Sequence, residues 1–204
     1  MGNKKYNIIY ADPAWEYKDK ANAGKRGACH KYSVMKSCDI RDLPIKEIAE
    51  KDSILFLWVT MPKLNECFEV IKSWGFEYKT CAFVWVKQSK HGKEFIGMGR
   101  WTRANAELCL IATKGKPKRV DASIRQIVNT PIREHSRKPD EVRDLIVKLC
   151  GDLPRVELFA RQKTEGWDVW GNQVEDSIDL TKLNNGNDGI PPKPKVLGIL
   201  PTII

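Results

Sequence analysis

Tyr6-Asn7-Ile8-Ile9-Tyr10-Ala11, running into Asp12-Pro13-Ala14-Trp15, is the stretch on which the reading of this chain turns. A short apolar run of this kind reads as a strand buried on both faces, as in parallel sheets. An acid, a rigid turn and an indole then stand at the strand's carboxyl end, where open α/β sheets hold their ligands. The residue types suit an exocyclic amine on a flat ring. Asp12 accepts one N–H, a backbone carbonyl of the Pro13–Ala14 turn accepts the other, and the Trp15 face stacks on the ring. With both protons held, the nitrogen lone pair is free to attack an electrophile. The same residues also describe an ordinary strand end, an Asp-Pro turn with a core tryptophan. By themselves they do not choose between the two.

Working outward, 204 residues suit one domain, and a chain of this size buries about 70% of its unfolded surface. A net charge of +9 favours a polyanionic partner, although solubility alone also accounts for positive charge. No signal peptide and no membrane-length apolar run is legible, so a cytoplasmic protein that does not enter membranes is expected. The six cysteines, Cys29, Cys38, Cys67, Cys81, Cys109 and Cys150, form no CxxC pair and mostly sit in apolar segments. With His30, His91 and His135 scattered among them, neither a metal site nor a disulfide framework is expected.

Strands and helices alternate along the chain, which predicts α/β architecture with a mostly parallel sheet. After the first strand a cationic, glycine-containing loop runs from Glu16 to about Ser37. A helix is expected over Leu43–Glu50 and a strand over Ser53–Thr60. Pro62 opens a helix to Trp74, with Leu64, Phe68 and Ile71 on its core face and Gly75 as its stop. Strands are expected over Phe76–Lys87, Glu107–Thr113 and, shorter, Arg125–Asn129. Pro139–Cys150 is a second proline-started helix with Val142, Leu145, Ile146 and Leu149 facing the core, and Arg155–Ala160 is the last expected strand. The composition changes at Glu175, so residues 1–175 are read as one domain. Residues 176–204 are read as a tail: a polar turn, Pro191-Pro192-Lys193-Pro194-Lys195, then apolar Val196–Ile204. That segment packs on its own domain, adds an edge strand or binds a second subunit.

Further stretches follow in order: Leu55-Phe56-Leu57-Trp58-Val59-Thr60, Phe83-Val84-Trp85-Val86-Lys87, Gly97-Met98-Gly99-Arg100-Trp101-Thr102-Arg103, and Arg133-Glu134-His135-Ser136-Arg137-Lys138-Pro139-Asp140-Glu141-Val142. Glu157-Leu158-Phe159-Ala160-Arg161 and Gly166-Trp167-Asp168-Val169-Trp170-Gly171-Asn172 complete the series. Together with Ile9–Trp15 they resemble the MT-A70 family of S-adenosylmethionine-dependent adenine methyltransferases, in its compact prokaryotic and phage form. One departure stands out. The family usually carries a second proline where this chain has Ala14, which keeps the carbonyl but loosens the turn.

The resemblance implies a Rossmann-like class I methyltransferase fold, helices on both sheet faces, in permuted order with the catalytic stretch early and the cofactor strand late. It implies direct methyl transfer to adenine N6, with Asp12, Pro13, Ala14 and Trp15 as the catalytic set. S-adenosyl-L-methionine is the implied cofactor. Ala11 and Asp12 would lie beside it, and Lys138 would meet its carboxylate. Glu157, Arg161 and Lys163 would hold its ribose and amino-acid portions, and Asn172 and Gln173 its sugar and base. Read without the resemblance, Lys138 is a solvated lysine before a helix and Arg161 a surface ion-pair partner. No glycine-rich phosphate loop follows the first strand, which fits a donor without phosphates.

A paired adenine cannot present its amine to such a site, so the base must be flipped or the strand unpaired. Two basic segments are candidate clamps, Lys18–Lys31 with Tyr32, and Lys87–Arg103 with Arg100, Trp101 and Arg103 close to Asn105 and Glu107. The second also reads as a solvated hairpin tip. DNA is favoured over RNA as partner, with a homodimer or partner subunit open. A catalytically silent nucleic-acid-binding subunit is the reading from another class, and such subunits typically lack the Asp or the Trp that this chain keeps.

Overall fold

The structure, a computed structural model, describes residues 4–16, 18–19, 26–27, 34–97, 99, 101–133 and 137–183. Strand β1 (Tyr6–Ala11) is followed by two-residue strands β2 (Lys18–Asp19) and β3 (Arg26–Gly27), which pair antiparallel. Helices α1 (Ser37–Arg41) and α2 (Ile45–Ile48) lead into β4 (Ala49–Val59). Then come α3 (Leu64–Ser73), β5 (Glu77–Gln88), β6 (Ala106–Lys114), β7 (Ile127–Pro131), α4 (Glu141–Cys150), β8 (Arg155–Leu158) and β9 (Asp168–Trp170).

Seven strands form one sheet in the order β7-β5-β6-β4-β1-β8-β9. Every neighbouring pair is parallel except those of β6, which runs antiparallel to both β4 and β5. The early strand β1 therefore lies between β4 and the late strand β8, with Ala11 beside both Leu57 and Leu158. That adjacency brings the two ends of the sequence to one edge of the sheet. The mostly parallel sheet read from the alternating pattern forms, with helices on both faces as the family resemblance implies.

The absence of polar alternation in β1 and β4 has a direct cause, since both faces of the sheet are covered. Ile9, Ala11, Leu55, Leu57 and Val59 pack on one side with Ile40, Ile45, Cys67, Val70, Ile71 and Trp74 from the α1–α3 region. Ile8, Tyr10, Ile54, Phe56 and Trp58 pack on the other with Val142, Ile146 and Cys150 of α4. A register shift between Tyr6 and Ile8 lets Tyr6 join the first side.

Four local expectations change. The helix expected over Leu43–Glu50 is the shorter α2, and α1 forms before it unforeseen; Pro44 has no N–H to join the two into one helix. Strand β4 begins at Ala49 and not Ser53, since Ala49 pairs with Tyr6. On α3 the buried residues are Cys67, Val70 and Ile71; Phe68 turns outward and meets Tyr78 edge-on at 5.0 Å. Gly75 stops that helix with φ 82°, as its position suggests. Strand β8 is not the last, because β9 adds to its outer side. Beyond it, Ser177 N–H donates to the Val169 carbonyl (2.8 Å), and Leu180 is fully buried with Ile178 and Leu183 packed nearby. Val196–Ile204 and the proline-rich segment lie outside the described residues.

Candidate active site

The parallel strands all end at one edge, and the reversed β6 begins there, with Leu108 beside Val59. Asp12 after β1, Glu107 in the first turn of β6, the segment between β7 and α4, Phe159–Arg161 after β8 and Gly171–Gln173 after β9 thus share that edge. Topology alone assembles the residues that the sequence singled out.

At the centre is a partly buried chain of alternating charge, with Lys138 its buried member. The Lys138 ammonium, 8% exposed, lies 2.9 Å from Asp12 Oδ1 and 3.2 Å from Glu107 Oε2. Lys87 reaches the other Glu107 oxygen at 2.5 Å. The Trp58 ring lies beneath Lys138, 5.6 Å from Nζ, adding a cation–π contact. Burial pushes the Asp12 carboxyl above its ordinary range, and the Lys138 charge and hydrogen bond pull against that shift. Burial also opposes ionisation of Glu107, but two lysine neighbours outweigh it and hold the carboxyl low. Lys138 would lose its proton more readily through burial alone; the two carboxylates raise its pKa instead. The Asp12 carboxyl therefore has a raised proton affinity, opposed by Lys138 and, more weakly, by Arg161.

The turn after Asp12 is fixed by backbone bonds. Trp15 N–H donates to the Pro13 carbonyl and Met35 N–H to the Ala14 carbonyl, each at 2.9 Å. Trp15 itself is 4% exposed and lies in the core, its indole N–H donating to the Trp58 carbonyl at 3.0 Å. The stacking surface expected of Trp15 is therefore covered here, and the indole instead clamps the turn to β4. Behind it, Trp58 N–H donates to the Tyr10 hydroxyl at 2.7 Å, both groups buried.

The remaining expected residues divide. Ala11 is fully buried in β1. Glu157 in β8 lies on the α4 side next to Tyr10, and Arg143 grips both its oxygens at 2.7 Å. Burial raises the Glu157 carboxyl, and Arg143 opposes that rise. Arg161 acts electrostatically on Asp12, so it belongs to the cluster. Lys163 points to solvent and pairs with Glu175 at 2.9 Å. Asn172 is partly buried after β9, and Gln173 is exposed. In the loop between β5 and β6, Trp101 and Arg103 are exposed and Asn105 donates its side-chain amide to Glu94. Tyr32, Arg100 and the side chain of Lys18 lie outside the described residues. Among the described residues no three His, Cys, Asp or Glu side chains converge as metal ligands, and no helix is long and apolar enough to cross a membrane.

Arg143 is the residue that sequence reading missed. Its signal was an arginine next to the buried Val142 and one turn before the buried Ile146, a position that brings its charge toward the sheet.

Strand order, one reversed strand and a charged carboxyl edge define an α/β protein of the Rossmann-like methyltransferase type. The MT-A70 family model matches residues 6–173, and the chain belongs to that family of adenine N6 methyltransferases. It is 36% identical to the Type II methyltransferase M.MunI of Mycoplasma sp, over 87% of this chain and 81% of that protein. It is 29% identical to the N(6)-adenosine-methyltransferase catalytic subunit METTL3 of Homo sapiens, over 95% of this chain and 33% of that protein. The Drosophila melanogaster N(6)-adenosine-methyltransferase MT-A70-like protein is 27% identical, over 84% of this chain and 27% of its own length. The chain spans about a third or less of these animal relatives. Methyltransferases of this family generally use S-adenosylmethionine.

Proposed function

We propose that this chain transfers a methyl group from S-adenosylmethionine to the N6 amine of adenine in DNA. The observation that carries the reading is the partly buried Asp12 carboxylate at the end of β1, bridged by Lys138 to Glu107. DNA is favoured because the Type II relative covers most of both chains. The METTL3 relatives, named as N(6)-adenosine methyltransferases, support RNA as the second reading.

The chemistry of the edge suits the donor. Its carboxylate calls for a cation, a role we give to Lys138 with Arg161, whose charge acts on Asp12; Lys138 also holds Asp12 and Glu107, and Lys163 would have to leave Glu175 to take part. The ribose hydroxyls call for acceptors, supplied by Glu157 with Asn172 and Gln173. The buried Thr60 hydroxyl, at the end of β4 on the same edge, has no hydrogen-bond partner among the described residues, and a polar ligand nearby would supply one. S-adenosylmethionine supplies an activated methyl carbon.

Asp12 and the Pro13–Ala14 carbonyls accept the two amine protons. That favours the localised lone pair in the transition state more than in the conjugated ground state. As the N–C bond forms and the C–S bond breaks, the amine loses a proton, and a carboxylate of raised pKa is well matched to take it.

The test is methyl transfer from labelled S-adenosylmethionine to duplex DNA, single-stranded DNA and RNA, with products digested to nucleosides and identified by mass. N6-methyladenine from DNA, lost in Asp12→Ala, is the expected result. Product from RNA only selects the second reading. No product on any polymer, with the donor still bound, points to the silent subunit.

A further inference from the structure

Trp101 is 95% exposed, the most open of the large apolar side chains among the described residues. A single exposed apolar side chain is common, but an indole held on a braced loop that also carries exposed cations has the composition of a nucleic-acid stacking contact. The loop that carries it is braced. Phe95 N–H donates to the Lys87 carbonyl (3.1 Å), Lys87 N–H to that of Asn105 (2.8 Å), and Ser89 N–H to that of Lys93 (2.7 Å). A Cβ on Gly97 would collide with the Ala104 carbonyl, and one on Gly99 with the Thr102 carbonyl. Only glycine permits this approach, so the two arms of the loop lie backbone against backbone and Trp101 stands out from the end. Lys90 and Lys93 on the same loop and Arg103 two residues after Trp101 are also exposed. The loop closes on β6 at Glu107, which joins Lys138 and Asp12 in the candidate active site.

We propose that Trp101 is a wedge that enters base-paired DNA and takes the stacking place of the adenine that leaves the helix, making duplex DNA the preferred substrate. This rests on the adenine-methylation reading. A flipped base leaves a gap between its neighbours, and the separated pairs lose stacking on both sides. A flat, apolar side chain held out on a braced loop fills that gap, while the exposed cations of the loop hold phosphates. An unpaired adenine leaves no such gap. The benefit of Trp101 is therefore confined to paired targets, which separates a wedge from a general stacking contact.

The experiment measures kcat/KM for the wild type and Trp101→Ala on a duplex with the target adenine paired, and on the same duplex with that adenine opposite an abasic site. Loss of one stacking partner predicts a fall of about 10- to 100-fold on the paired target, and a several-fold smaller fall on the unpaired one. Trp101→Phe retains part of the paired activity. With 2-aminopurine as the target base, fluorescence rises on binding wild type and stays low with Trp101→Ala. Equal falls on both targets, or no fall on either, overturn the proposal while leaving adenine methylation intact. So does dissociation of a dimer by Trp101→Ala with the paired-to-unpaired ratio unchanged, which would make the indole a contact between copies. Wild type inactive on every polymer overturns the functional reading, and this proposal with it.

Discussion

Arg143 holds Glu157 by two bonds of 2.7 Å where the side chains are only 11% and 7% exposed, and it reaches Asp140 at the same distance. Two charges this far from water cost several kcal/mol to desolvate, so the pair adds little net stability yet is expensive to break. Arg143→Met leaves Glu157 buried without its cation. A loss of about 3–5 kcal/mol in denaturant unfolding is expected. Arg143→Met with Glu157→Gln recovers much of it, because the uncompensated charge is gone. If the single variant unfolds like the wild type, the pair is not the constraint it looks.

The pH dependence of methyl transfer follows from Asp12. The carboxyl must be ionised to accept amine protons, and its pKa is raised by burial against the pull of Lys138. Activity therefore falls as pH drops through that raised value. In Lys138→Met the opposing cation is gone and the pKa climbs further, so the acid limb moves to higher pH. The position of the limb, measured at saturating donor and DNA, isolates this effect from any change in binding. A limb in the same place in both proteins would remove Lys138 from control of Asp12.

Much of this was legible in the chain. Unbroken apolar runs at Ile8–Ala11 and Ile54–Val59 place two strands in the middle of a covered sheet, and Asp12 follows at the ligand-binding edge. What escaped depends on contacts remote in sequence. Ala49 is a weak strand former by itself and joins β4 because Tyr6 lies beside it. The partner of Glu157 sits 14 residues away on a helix, and a lone arginine there reads as surface. Lys138 looks like a solvated residue until the sheet sets Asp12 and Glu107 on either side of it. For Trp15 the sequence left a stacking ring and a core tryptophan both open, and packing buries the indole.

The Tyr10 hydroxyl is the acceptor for Trp58 N–H at 2.7 Å, in a part of the core that water does not reach. Tyr10→Phe removes the acceptor and leaves an indole donor buried. About 1–3 kcal/mol of stability is expected to be lost, measured by thermal or denaturant unfolding. Because Trp58 also lies under Lys138, its indole fluorescence should change with the variant. Unchanged stability would mean that Trp58 has another acceptor within reach.

Ala14 stands where the resemblance to the MT-A70 family implies a proline, and the backbone of the turn suits one. Trp15 N–H closes on the Pro13 carbonyl across Ala14, and Ala14 is not among the residues with positive φ, so the turn is of the inverse γ type. Its central φ is close to the value that a proline ring imposes. The Ala14 carbonyl, which accepts from Met35, is retained on substitution. Ala14→Pro should therefore stabilise the folded state by about 0.4–1 kcal/mol, mainly by restricting the unfolded chain. If the Pro13–Ala14 carbonyls hold the substrate amine, a stiffer turn also raises kcat without lowering KM for the donor. A variant that is less stable than wild type would mean that the Ala14 conformation is one that proline cannot adopt.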